Sequence, residues 1–529
     1  MKSYLRNPLA SNWSFSILLI LLVGSGIFLR FNDLSAPLLD FHPTRQLFGA
    51  IKARGLYYET ISNTPNSAIF ASCFHSECLD NETISNIPNW QKDLAVRQYS
   101  NEATIEPPIM ETLTARLYAY WGVQTAIPRA ISASFWLIGA FFLFLLTKNL
   151  SGSRVAAAIG LAFYLLLPYA VSASRAFQPD PLMIMAIIIF WWAIENWGRH
   201  QGWRWAIVAG ISGGIAIFVK FPAVFFIIAP ALAIILTRVG FLKAFKTPQI
   251  WVIILLGILP PAGYLYYGIT LHGFLGQQFS SRFYPGLWID PVFYLRWLLK
   301  VEIIASFPWI AAGLTGWLIF SNKQVKFFLG SLWAAYFVFG LTFAHHISSH
   351  DYYSLPLIPL LALCLAQLSV PLFQIFKSKP SQVEDQAGFA LSGPAQLFCL
   401  ILAGLTILIF TANQYLDHRT NDYRAQAAFW AEVGQAVNHQ PGVISITTDY
   451  GYPLAYYGWQ NTSLWPASVD IQNFDKTYQQ LLSNKDYFLV TDFDEFNRQP
   501  ELQKRLSENF PILVQNRTYL VFDLAHPKK

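Results

Sequence analysis

Charge is scarce in this sequence. Asp, Glu, Lys and Arg together supply 12% of its 529 residues, about half the share carried by a soluble globular domain. That deficit excludes an ordinary soluble enzyme. Cysteine is nearly absent too, with four residues, which excludes a disulfide-built scaffold. Cys364 and Cys399 fall in apolar runs and read as packing residues. Cys73 and Cys78 lie in a polar loop, where a disulfide and two separate thiols weigh equally, and a zinc site with His75 lacks a second ligand pair. No long basic tract with interleaved aromatics is present, so the formal charge of +6 does not point to nucleic acid. No phosphate-cradling glycine loop and no nucleophile elbow is found, which argues against ATP-driven work.

Long apolar runs are what the chain has instead. Each helical crossing of a bilayer takes roughly 20 residues, and on that criterion about eleven spans are expected. They fall near 13–30, 126–147, 154–172, 179–196, 204–219, 222–237, 249–269, 303–320, 326–344, 353–376 and 395–413. The first reads as a retained anchor, because its small residues Gly24-Ser25-Gly26 lie inside the apolar run. Six joins on one side carry Lys2 and Arg6, Lys148 and Arg154, Arg199 and Arg204, Arg238 with Lys243 and Lys246, Lys323 and Lys326, and Lys377 and Lys379. The positive-inside rule makes that side cytoplasmic. The fold class expected is an all-α polytopic membrane domain over 1–417, followed by a small extracytoplasmic α/β domain over 418–529. The tail alternates helix-like (423–438, 474–482) and strand-like (442–448, 486–490, 518–522) segments. A loop at 31–125 faces outward and holds two surface helices, 44–58 and 108–121. The segment 382–392, with Glu384 and Asp385, reads as cytoplasmic loop.

Chemistry gathers on the outer side. Asp40-Phe41-His42-Pro43-Thr44-Arg45-Gln46 follows the first span, at the height of a lipid phosphate. A carboxylate there can take the proton of an acceptor hydroxyl or amine, or can simply cap the next helix. Glu106, held by Pro107-Pro108, is a second carboxylate in the same loop, with an ordinary loop-to-helix junction as its bland reading. Arg45, Arg175, Lys220 and Arg282 place positive charge at span ends, where it binds phosphate oxygens or merely snorkels. His345-His346 and His350-Asp351-Tyr352-Tyr353 gather imidazole, carboxylate and phenol at a span entrance, which suits sugar and phosphate recognition. A divalent metal there is conceivable but not expected, because the spacing matches no standard site. Asn81-Glu82-Thr83 and Asn461-Thr462-Ser463 fit the glycosylation pattern, which is common by chance.

These motifs resemble the membrane-embedded glycosyltransferases of the GT-C fold, family 39 type: bacterial relatives of the protein O-mannosyltransferases and of the lipid A aminoarabinose transferase. The resemblance spans roughly 13–376, and its most specific piece is Asp40 to Gln46. Glu106-Pro107-Pro108, Pro128-Arg129, Ser174-Arg175 through Pro179-Asp180, and His350 through Pro356 are also similar. The resemblance implies a polyprenyl-phosphate sugar donor, a lipid, glycan or protein acceptor, and inverting displacement at a site outside the cytoplasm, in a bacterial inner membrane. It implies Asp40 as base with Glu106 beside it. Lys220, Arg175 and Arg282 would hold the donor phosphate, with His42, Arg45, Asp180, His350, Tyr352 and Tyr353 as further binding residues. No cofactor is implied. A transporter or flippase of lipid-linked glycans, or an envelope glycan ligase, is the alternative.

Overall fold

The computed structural model of the chain describes residues 12–63, 87–276, 283–375 and 393–528. Arg282, Cys73, Cys78, the Asn81 sequon and the 382–392 loop lie outside the described residues.

Among the described residues, five helices are long and apolar enough to cross a membrane: Ala126–Ser151, Asp180–His200, Phe221–Val239, Pro248–Leu271 and Lys323–Thr342. Two bent pairs raise the figure to seven if each counts as one span. Three shorter apolar helices, Phe15–Phe31, Trp203–Val219 and Leu357–Leu372, occupy other expected spans. With the helix Gly393–Thr420 on the last expected segment, helices lie on every expected span, while length and apolarity among the described residues support five to seven crossings. One reason for the lower figure is that prolines break what hydropathy reads as continuous. The run at 154–172 bends by 62° between Arg154–Leu166 and Pro168–Arg175. Leu167, which precedes the proline, is extended at φ −59, ψ 125, as the clash with a following proline ring requires. A 92° break likewise separates Pro291–Ile304 from Phe307–Ile319, and the first of these helices replaces part of an expected loop.

Helices approach closely where glycine removes the side chain. A Cβ at Gly160 would lie 2.6 Å from the Ala362 carbonyl, and one at Gly316 would collide with the Cys364 carbonyl. Asp180–His200 is the most enclosed candidate span, with Trp191 and Trp197 fully buried.

The first loop is built from α2 (Pro43–Asn63) and the helices Asn89–Asn101 and Ile109–Trp121, following α1 (Asn12–Phe31). Asn89–Asn101 was not expected from hydropathy, because it buries only Leu94, Ala95 and Gln98. The tail forms a five-stranded sheet in the order β2-β1-β3-β5-β4, with β1 Val443–Ile446, β2 Ser463–Leu464, β3 Tyr487–Val490, β4 Ile512–Gln515 and β5 Leu520–Asp523. β1 runs parallel to β2 and β3, while β3–β5 and β4–β5 are antiparallel. Alternate side chains serve two cores, as the period of a strand dictates. Ile444, Phe488 and Phe522 pack with Leu502 and Leu506 on one face, and Val443, Leu489 and Val521 pack with Trp430 and Leu454 on the other.

Arg54 of α2 fastens this tail to the membrane part. Its guanidinium donates to the carbonyls of Tyr456 (2.8 Å) and Ala455 (3.1 Å) and to Gln98 Oε1 (2.9 Å). It also lies 3.8 Å from the Trp459 ring centroid. Arg54→Ala leaves those carbonyls without a donor. We expect it to cost about 2–4 kcal/mol of stability, read as a lowered thermal midpoint and earlier proteolysis after residue 420. Unchanged protease resistance would contradict the clamp.

Candidate active site

The break between α1 and α2 sets the first part of the site. His42 adopts a left-handed backbone (φ 46) immediately before Pro43. Its carbonyl accepts from the amides of Arg45 (3.0 Å) and Gln46 (3.3 Å), which starts α2. Asp40 is thereby held against Arg129, the fourth residue of the helix Ala126–Ser151. The Arg129 guanidinium donates to both carboxylate oxygens, at 2.8 and 3.0 Å, and to the carbonyls of Ala36 and Pro37. Gln46 Nε2 donates to Asp40 Oδ1 at 3.2 Å. Burial pushes the Asp40 carboxyl up, but the charge and hydrogen bonds of Arg129, with Gln46, outweigh it and hold it below the usual carboxylate range. Asp40 is thus a fixed carboxylate with both oxygens engaged.

Arg45, one turn into α2, meets Glu106 across the loop, its Nη2 donating to the two oxygens at 3.1 and 3.2 Å. Burial lowers the Arg45 guanidinium, yet Glu106 more than offsets this and the net direction is up. The two carboxylates expected near one another thus sit on the same loop, each with its own arginine. Arg175, expected to hold the donor phosphate, meets backbone carbonyls. Its Nη atoms donate to the carbonyls of Leu29, Asn32 and Asp33, and so cap the end of α1.

Lys220 ends the helix Trp203–Val219 in an extended conformation. Its ammonium is buried and donates to Asp180 at 2.9 and 3.1 Å. It also lies 4.9 Å from the Tyr353 ring centroid and 5.1 Å from that of Tyr352. A recess opens here. Phe218, Phe221, Pro261 and Leu265 line its apolar side, while Glu106, Lys220 and Tyr353 line its polar end. A second, smaller hollow shares Lys220 and Tyr353 and adds Asp180.

His350 and Asp351 lie at the entrance to the helix Leu357–Ile375. His350 Nδ1 is 2.8 Å from the Ser349 hydroxyl. Asp351 meets His42 Nε2 at 2.7 Å, which ties this entrance to the first loop. Among the described residues no three His, Cys, Asp or Glu side chains converge as a metal-ligand set.

Two residues of the site, Arg129 and Glu111, were given no site role from sequence. Arg129 gave one readable signal, a lone charge at the entrance of an apolar helix. Glu111 gave none. It lies in the first turn of Ile109–Trp121 and faces Gly49 of α2, whose Cβ would sit 3.6 Å from its Oε1. Burial pushes the Glu111 carboxyl up to about 7, with Glu106 adding and Lys52 and Arg45 opposing. Because this value stands above the unfolded 4.5, the stability it supplies is present below pH 4.5 and is lost as pH climbs to about 7. Glu111→Gln should therefore raise the thermal midpoint at about pH 8 and leave it little changed at about pH 4. Equal midpoints at both would contradict this environment.

Residues 106–267 match the family model described as dolichyl-phosphate-mannose-protein mannosyltransferase. No curated protein sequence matches the chain. The apo crystal structure of ArnT from Cupriavidus metallidurans is similar over 98% of both chains, with TM-score 0.59 at 13% identity. The fold is that of the GT-C membrane glycosyltransferases. The same ArnT bound to undecaprenyl phosphate gives TM-score 0.57 at 13% identity, over 98% of this chain and 99% of that one. The archaeal oligosaccharyltransferase AglB from Archaeoglobus fulgidus, in complex with an inhibitory peptide and a dolichol-phosphate, gives 0.48 at 10% identity, over 97% and 74%. The segment matched by the family model carries Glu106, Arg129, Asp180 and Lys220. Asp40, His42 and the 350–353 cluster lie outside it and join it only through the fold.

Proposed function

We propose that this protein moves a sugar from a polyprenyl-phosphate donor to an acceptor at the outer face of a bacterial inner membrane, by inverting displacement. The observation that carries the reading is the recess at Lys220, where an apolar wall leads to a buried cation and an Arg45–Glu106 pair. A polyprenyl chain suits the apolar side, and a phosphate suits the polar end. The amino terminus is then cytoplasmic and the tail domain lies outside, over the site.

In this reading Lys220 and Arg45 bind the phosphate oxygens. Both are already oriented by carboxylates, so they need little reorganisation as negative charge grows on the departing phosphate. Asp40 stays ionised and fixes the α1–α2 break against Arg129. Tyr352 and Tyr353 offer rings and hydroxyls to the sugar. No cofactor is invoked.

Binding tests this directly. Native mass spectrometry of the detergent-solubilised protein should show undecaprenyl phosphate retained and undecaprenol lost, and Lys220→Met should weaken retention by about tenfold or more. Equal retention of phosphate and alcohol would contradict the phosphate site.

A further inference from the structure

We propose that His42, held by Asp351, is the group that takes the proton from the acceptor; this rests on the glycosyltransferase reading. Asp40 and Glu106 each have an arginine across both oxygens, and a saturated, charge-compensated carboxylate is a weak proton acceptor. His42 is arranged otherwise. Its Nε2 lies 2.7 Å from Asp351 Oδ1. An ionised carboxylate only accepts, so Nε2 carries the hydrogen and Nδ1 presents its lone pair. The side chain is 31% exposed and so can be reached. A nucleophile-activating base oriented by a third group has this same arrangement.

The backbone supports the assignment. A non-glycine residue at φ 46 costs about 1–3 kcal/mol, and such strain persists where surrounding structure enforces it. Here the enforcement comes from Pro43, from the first hydrogen bonds of α2, and from Phe41 and Tyr352, whose rings meet the imidazole edge-on at 4.6 and 5.0 Å. Burial pushes Asp351 up, but its hydrogen bond to His42 reverses this and keeps it ionised. The titratable groups recorded around the imidazole are Asp351 and, behind it, Tyr169, with Tyr352 and His350 from the same entrance.

The step balances. The acceptor oxygen or nitrogen forms a bond to the anomeric carbon, and its proton passes to His42 Nδ1. The bond from that carbon to the phosphate oxygen breaks, and polyprenyl phosphate leaves with the electron pair. The imidazolium shares its charge with Asp351.

The test is the pH profile of transfer from whichever radiolabelled undecaprenyl-phosphate sugar the parent uses, with envelope extract as acceptor. His42→Gly accepts the left-handed backbone without strain, so it should fold. It should lose about 10²–10⁴-fold in kcat, lose the acid limb of the profile, and recover part of its rate with added imidazole. Asp351→Asn should move that limb to lower pH, because the imidazolium loses its carboxylate. Transfer by His42→Gly within about threefold of the parent, well short of a general base's share, would overturn the assignment. So would an acid limb left in place, or one moved instead by Glu111→Gln. Absence of transfer by the parent would overturn the glycosyltransferase reading and this inference with it.

Discussion

Lys220→Met should lower kcat/KM for sugar transfer by about 10³-fold or more, while Lys220→Arg retains part of the rate. The ammonium sits at the polar end of the recess, already paired with Asp180 and faced by two tyrosine rings. A phosphate entering there exchanges one anionic partner for another, at little cost in reorganisation. Methionine fills the same space but brings no charge to the leaving group. It also strands Asp180, which is 1% exposed. Removing one partner of a buried pair costs about 3–5 kcal/mol, so the variant must be checked for folding. Lys220→Met/Asp180→Asn removes both charges and should recover most of that stability without recovering transfer. Recovery of activity in the double variant would show that the pair acts only in folding.

Asp40→Asn carries the second large effect, and here stability changes first. Arg129 has no exposure, and Asp40 supplies its only charged partner among the contacts described. Its remaining contacts are the carbonyls of Ala36 and Pro37. Neutralising Asp40 leaves a buried, uncompensated guanidinium, at about 3–5 kcal/mol. The thermal midpoint should fall, and transfer should fall with it as the α1–α2 break loosens. Asp40→Asn/Arg129→Met should regain much of the midpoint. If the acid limb of the pH profile vanishes in a folded Asp40→Asn protein, proton transfer belongs to Asp40 rather than to His42.

Much of this site was legible in the sequence because rare residues stand out in an apolar chain. Lys220 is a lone cation between apolar runs, and the Asp40–Arg45 segment sits where an apolar run meets a proline. The pairings were not legible. Asp40 and Arg129 are 89 residues apart, and His42 and Asp351 are joined only when the loop folds back on the entrance of a late helix. Glu111 was invisible because its environment comes from Gly49 of α2 and neighbouring charges, with nothing unusual in its local pattern. The carbonyl partners of Arg175 were not legible either, because a span-end arginine reads the same whether it meets phosphate or caps a helix with its own chain's carbonyls.

At fold level, the α/β alternation of the tail was readable, since its strands carry β-branched and aromatic residues bounded by turns. The helix at 474–482 has the expected bounds. Short β2 and the exposed β4 were missed, because neither carries a buried apolar run. Where proline bends a helix, the break was not readable from hydropathy, which records apolarity and not direction.

The most direct measurement of the central claim uses the purified protein in lipid vesicles, with a panel of radiolabelled polyprenyl-phosphate sugars and envelope extract as acceptor. Transfer of label to the extract, with release of polyprenyl phosphate in equal amount, is the predicted result. Label that crosses the vesicle membrane still attached to its lipid, with no transfer from any donor, would contradict it and make the protein a flippase.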